Sequence, residues 1–60
     1  MKKFHIYIFA PTQSIRTIIR AETFQIEDGH LVFFDEDDEL VASYPASITA
    51  IENVVNVDTF

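Results

Sequence analysis

The sequence is 60 residues long, 48% hydrophobic and free of cysteine, which limits it to one small domain without disulfides or thiolate zinc sites. Its formal net charge is −6, with all four basic residues in the first 20 positions and all ten acidic residues in the last 40. An acidic chain disfavours direct binding to nucleic acid or an anionic membrane, and favours a basic surface of another protein. The apolar content is too high for a disordered segment, so we expect residues 1–60 to fold as a single small β domain.

Alternation with a period of two residues predicts the first strand over residues 3–9. Lys2 and Lys3 before this apolar run imitate the start of a signal peptide, but His5 and Tyr7 interrupt the run and no cleavage site follows. The run is also far too short to cross a membrane. We therefore expect a cytoplasmic protein with no membrane partner, and the absence of cysteine fits a reducing compartment.

The next apolar stretch predicts a second strand that changes phase. Its apolar residues occupy odd positions up to Ala21 and even positions from Phe24, and a β-bulge near Glu22-Thr23 would explain the shift. A helix over residues 12–21 is the alternative, because the isoleucines there also fit helical spacing. Four β-branched residues in the middle of that stretch weaken such a helix, so we favour the strand.

Asp28-Gly29 is the clearest local signal in the sequence. An Asp-Gly pair between alternating apolar segments is typical of a two-residue hairpin turn of the primed type. Gly29 is the only glycine, which indicates a position that needs a positive φ. Residues 30–34 then predict a strand with two apolar faces, as expected of a central strand or of one that closes a dimer.

Two further strands complete the predicted architecture. Residues 40–44 form the fourth strand, which Pro45 ends, and residues 48–57 form the fifth; a short helix within residues 45–55 is the alternative. We therefore expect an all-β fold, a five-stranded antiparallel meander that can curl into a small, partly open barrel, with at most one short helix. Its first and last strands would be the edges, and so small a domain favours a homodimer.

The run of five carboxylates at residues 35–39 is the most unusual segment. One interpretation is a solvated hairpin tip that keeps the protein soluble. The other is a decoy that mimics nucleic acid, because carboxylates on an extended chain advance by about 3.3 Å, close to the phosphate spacing of one DNA strand. A calcium loop is disfavoured because the glycine that such a loop requires is missing. The predicted partner-binding residues are all acidic: Glu27, Asp28, Asp35, Glu36, Asp37, Asp38 and Glu39.

Catalytic and metal chemistry find little support in the sequence. Ser14, Ser43 and Ser47 lie in no nucleophile motif, and a single glycine cannot form a phosphate-binding loop. His5 and His30 have no ligand spacing between them, although a small metal-binding protein stays an alternative. We expect a protein that is not an enzyme and that uses neither cofactor nor metal.

The aromatic residues are predicted to serve mainly in packing. A base-stacking platform for single-stranded nucleic acid needs a basic groove, which an acidic chain disfavours. Four of the aromatic residues are instead predicted to form an oligomer interface, where Tyr and Phe are enriched. These residues are Tyr7, Phe9, Phe34 and Tyr44. A structural or assembly module, in which the acidic run only solubilises the chain, is therefore the alternative function.

One stretch, residues 20–35, resembles a pattern found in short bacterial and phage β-proteins. It reads Arg-Ala-Glu-Thr-Phe-Gln-Ile-Glu-Asp-Gly-His-Leu-Val-Phe-Phe-Asp, and the likeness continues through residues 40–45. In size, acidity and lack of catalytic motifs, the chain is also similar to anti-CRISPR and anti-restriction proteins. This resemblance implies a bacterial or phage inhibitor that blocks a basic, nucleic-acid-binding site on a partner protein.

Overall fold

The computed structural model of the chain describes residues 1–56, which form six β-strands and one 3-10 turn. In chain order the elements are β1 (Lys2–Ile8), β2 (Ile15–Ala21), β3 (Thr23–Glu27), β4 (His30–Phe34), β5 (Leu40–Pro45), a 3-10 turn (Ala46–Ile48) and β6 (Thr49–Asn56). The predicted all-β class is confirmed. Val57, which the sequence assigned to the last strand, lies outside the described residues.

The strands form two three-stranded antiparallel sheets, with the orders β2-β1-β6 and β3-β4-β5. We call them sheet A and sheet B. Within residues 1–56 the sheets do not close into a barrel, and the strands do not form one meander, because β6 pairs with β1. The first strand is therefore central, and the prediction that it would be an edge is wrong. The edges of the two sheets are β2, β6, β3 and β5.

The change of phase after Ala21 marks the passage from one sheet to the other. The prediction of one bulged strand is wrong here: β2 ends at Ala21, β3 begins at Thr23, and Glu22 lies between them. The Glu22 N–H donates to the Phe34 carbonyl at 2.8 Å, which ties this crossing point to the end of β4. A bulge and a crossing both shift the alternation by one residue, so both fit the same sequence pattern.

A shared core joins the two sheets. Alternation in β1 places Phe4 and Ile6 inside, and alternation in β4 places Leu31 and Phe33 inside, with Ala21 at the crossing point. Ile6, Ala21 and Phe33 are fully buried. The rings of Phe4 and Phe33 meet edge to face, with centroids 5.2 Å apart. The opposite face of β1 therefore points away from sheet B.

The predicted hairpin at Asp28-Gly29 is confirmed. Asp28 has a φ of 50° and Gly29 a φ of 73°, so both central residues take the left-handed conformation of a type I′ turn. The turn joins β3 to β4, and β4 is the central strand of sheet B, as its two apolar faces predicted.

Replacing Gly29 by Ala is expected to lower the free energy of unfolding by about 1–2 kcal/mol, because an L side chain resists the left-handed conformation. A Cβ at this position would contact nothing within 4 Å, so the cost comes from the backbone alone. Urea unfolding measures the effect. Asp28→Asn is the control, since Asn tolerates the same conformation. Equal stability of Gly29→Ala and the wild type would contradict a left-handed conformation at Gly29.

The helical alternative for residues 12–21 is wrong, and the short helix considered for residues 45–55 is reduced to one 3-10 turn after Pro45. Residues 12–21 contain β2, and the only helical turn in residues 45–55 is the 3-10 turn Ala46–Ile48, which β6 follows directly. The Phe9 N–H donates to the Ile48 carbonyl at 2.7 Å, which connects the loop after β1 to this turn. No helix within residues 1–56 is long and apolar enough to cross a membrane.

Candidate functional site

The acidic run forms the loop between β4 and β5, and one of its own carboxylates holds it in place. Asp35 Oδ1 accepts hydrogen bonds from the backbone N–H groups of Asp37 and Glu39, both at 2.9 Å. The Asp35 N–H donates to the Glu39 carbonyl at 2.9 Å, and the Asp38 N–H donates to the Asp35 carbonyl at 3.1 Å. We call residues 35–39 the acidic tip. Asp35 orders the acidic tip, while Glu36, Asp37, Asp38 and Glu39 are exposed.

The acidic tip presents a compact cluster of charge. Because Asp35 and Glu39 are hydrogen-bonded to each other, the five carboxylates cannot follow an extended line. The spacing argument for mimicry of a DNA strand assumed an extended chain, so the structure corrects it. No cation of residues 1–56 forms an ion pair with the acidic tip. The arrangement suits a localised basic patch better than a long nucleic-acid groove.

Removing the Asp35 side chain is expected to destabilise the hairpin. Asp35→Ala deletes the acceptor of two backbone hydrogen bonds, and we expect the free energy of unfolding to fall by about 1–2 kcal/mol. Asp35→Asn is the matched control, since its one carbonyl oxygen can replace Oδ1. Urea unfolding compares the two variants. If Asn were as damaging as Ala, the charge of Asp35 would matter more than the acceptor geometry.

Glu27 and Asp28 do not belong to the same surface as the acidic tip. Their turn precedes β4, whereas the acidic tip follows it, and successive turns of an antiparallel sheet lie at opposite ends. The five residues of β4 separate the two ends by about 16 Å. The predicted partner-binding residues therefore form two separate acidic regions, of which the acidic tip carries more charge.

The four predicted interface aromatics are dispersed over the molecule. Tyr7 and Phe9 pack against each other with ring centroids 4.6 Å apart, outside the core. Tyr44 packs against the core, and its ring centroid lies 6.5 Å from that of Phe33. Phe34 is half-buried at the end of β4, in the same sheet as Tyr44 and in the sheet opposite Tyr7. Only Tyr7 and Phe9 share a surface.

The histidines lie on different sheets. His5 is in β1, and His30 opens β4, where its Nδ1 lies 3.0 Å from the Asp28 carbonyl oxygen. Within residues 1–56, no group of three or more His, Asp or Glu side chains could hold a metal ion.

Sequence reasoning missed the arrangement of the basic residues. Lys3 and Arg20 are directly opposite each other in the register of β1 and β2. Arg16, on the same face, pairs with Glu52 at 3.1 Å and lies 4.7 Å from the centre of the Tyr7 ring. The hydrogen bond to Glu52, and then the attraction between the two charges, raises the pKa of Arg16. If the first two strands are paired symmetrically about the turn after Pro11, Lys3 falls opposite Arg20, so the sequence alone could have predicted this pair.

An open groove of about 360 Å³ lies where sheet A meets the crossing point. Phe4, Phe24 and Val54 form its apolar walls, and the oppositely charged Lys2 and Glu22 also line it. Phe24 and Val54 are 43% and 45% exposed, so the groove is shallow and open to water. It does not enclose a ligand in the way that a catalytic pocket does.

The chain matches no protein-family model, no curated protein and no solved structure.

Proposed function

We propose that this chain is a non-enzymatic, cytoplasmic interaction module that binds a basic patch on another protein through its acidic tip. The observation that carries the proposal is the state of the tip: Asp35 fixes the loop, and the four carboxylates after it are exposed. A preordered loop loses little conformational entropy on binding, so more of the electrostatic attraction contributes to affinity. Complementary charge also speeds association and excludes acidic competitors.

An inhibitor of nucleic-acid binding is the form of this function that we favour. Proteins that bind nucleic acid neutralise its phosphates with Lys and Arg, and a compact group of four exposed carboxylates would compete for such a basic patch. The resemblance in size and acidity to anti-CRISPR and anti-restriction proteins points the same way. The compact shape of the tip implies that it covers one localised patch instead of filling a long groove.

A matched pair of variants tests the proposal. Glu36→Gln with Asp38→Asn removes two charges from the acidic tip and leaves Asp35 in place. Glu27→Gln with Asp28→Asn removes two charges from the opposite end of sheet B. In each variant one Glu and one Asp are replaced. The replaced Asp has a positive φ in both cases, 50° at Asp28 and 61° at Asp38. The two variants therefore differ in the location of the lost charge and in little else.

The measurement is capture from the heparin-binding fraction of a bacterial lysate on immobilised protein. We expect the wild type and the Glu27/Asp28 variant to retain the same partner, and the tip variant to lose it. Retention should fall as salt rises, because exposed charges are screened over about 10 Å at 0.1 M salt. The retained partner should also release a labelled oligonucleotide when the wild-type chain is added. Equal capture by both variants would remove the acidic tip from the proposed function.

An assembly module is the second candidate, and the exposed apolar residues favour it. Ten large hydrophobic side chains of residues 1–56 are at least one-third exposed. All of β3 is exposed, including Phe24 and Ile26, and β3 is an edge strand. Self-association through such edges should persist at high salt, whereas binding through the acidic tip should not.

A further inference from the structure

The outer face of sheet A carries a pair of cations that no carboxylate of residues 1–56 neutralises. Lys3 and Arg20 are direct neighbours across β1 and β2, and the next pair on this face is His5 and Ile18. Val55 of β6 flanks Lys3 on the other side. We call these five residues the basic face. Because Phe4 points into the core, alternation directs Lys3 away from sheet B.

Two like charges directly opposite each other on a sheet are destabilising. No carboxylate of residues 1–56 forms an ion pair with Lys3 or Arg20, whereas Arg16 on the same face has Glu52 at 3.1 Å. Exposed apolar side chains border the cations, with Ile18 51% and Val55 38% exposed. An anionic segment with apolar neighbours would relieve the repulsion and cover these side chains.

The chain itself contains a segment of that composition. The four exposed carboxylates of the acidic tip are followed directly by Leu40 and Val41, which are 61% and 45% exposed. Both the charge and the apolar edge of the acidic tip therefore complement the basic face. Charge complementarity of this kind fixes the orientation of a contact.

We propose that the basic face receives the acidic tip of a second copy of this chain, which yields a closed dimer. The inference rests on the proposed use of the acidic tip as a binding element. The two surfaces lie at the same end of the molecule: Arg20 comes two residues before Glu22, and Glu22 bonds to Phe34, the residue before the tip. A twofold axis can therefore place each acidic tip against the basic face of the other copy. A basic partner protein would compete with this dimer for the same acidic tip.

Charge exchange between the two surfaces tests the dimer. Lys3→Glu with Arg20→Glu reverses the basic face, and Glu36→Lys with Asp37→Lys reverses the acidic tip. Each variant alone should be monomeric in sedimentation velocity at about 50 mM salt, with a dimer dissociation constant raised at least about tenfold. An equimolar mixture of the two variants should dimerise, and so should the chain that carries all four substitutions. Circular dichroism checks that every variant is folded, and Lys3→Gln with Arg20→Gln supplies a neutral version of the first variant.

Three outcomes would overturn the inference. They are a wild type that stays monomeric at low salt, a dimer that persists in each charge-reversal variant alone, and a monomer whose basic face binds a labelled single-stranded oligonucleotide. Binding to a decalysine peptide separates this inference from the proposed function. If the dimer is wrong and the proposed function is right, the wild type still binds decalysine. Only the reversal of the acidic tip then abolishes this binding. If the acidic tip binds no cation, the wild type binds decalysine no better than the tip-reversal variant, and both proposals fail.

Discussion

Phe33→Ala is expected to remove about half or more of the protein's free energy of unfolding. Phe33 is fully buried, and its ring lies between those of Phe4, Phe24 and Tyr44, with centroids 5.2, 6.3 and 6.5 Å away. Truncating a buried Phe costs about 3–5 kcal/mol, because the transfer energy of the ring is lost and a cavity remains. Typical per-residue stabilities give a 60-residue domain a free energy of unfolding of only about 3–9 kcal/mol.

Urea unfolding followed by circular dichroism measures this loss. The control is Phe9→Ala, because Phe9 is 49% exposed and contacts the Tyr7 ring outside the core. We expect that variant to lose no more than about 1 kcal/mol. A Phe33→Ala protein within about 1 kcal/mol of the wild type would show that Phe33 is not at the centre of the core.

Ala21→Leu is expected to cause the second largest loss of stability. Ala21 is fully buried where β2 ends, immediately before the chain crosses from sheet A to sheet B. The next residue, Glu22, hydrogen-bonds to Phe34, so the backbones of the two sheets are held together at this point. A leucine would force them apart or adopt a strained rotamer, which costs about 1–3 kcal/mol.

Thr23→Leu is the matched control for this substitution. Thr23 lies two residues further along, on the other side of the crossing point, and is exposed. The same larger side chain should change the free energy of unfolding there by only about 0.5 kcal/mol. Equal effects at both positions in urea unfolding would contradict the close approach of the two sheets at Ala21.

Local signals account for the parts of the fold that the sequence predicted correctly. Alternation assigns each strand residue to a face. The Asp28-Gly29 pair tolerates the type I′ turn conformation, which few other residue pairs adopt. The two apolar faces of β4 likewise reflect its central position. Pairing between distant strands has no such signal, because alternation does not say which strands are neighbours. The contact of β6 with β1 could therefore not be read from the sequence.

The candidate site was predictable to a similar extent. The acidic tip was correctly assigned to a hairpin loop, because a charged run lay between two apolar strands. The structural role of Asp35 depends on hydrogen bonds within the loop, which composition does not reveal. The separation of Glu27 and Asp28 from the tip, by contrast, follows from antiparallel geometry and needed only the order of the turns.

The affinity of the captured partner for the two matched charge variants tests the central claim most directly. Titration calorimetry at fixed salt would compare Glu36→Gln with Asp38→Asn, at the acidic tip, and Glu27→Gln with Asp28→Asn, at the opposite turn. If the acidic tip is the binding surface, the tip variant should bind at least about tenfold more weakly than the wild type, a loss of about 1.4 kcal/mol. The opposite-turn variant should stay within about twofold of the wild type. Equal weakening in both variants would show that only the net charge of the chain attracts the partner, and would contradict a binding site at residues 35–39.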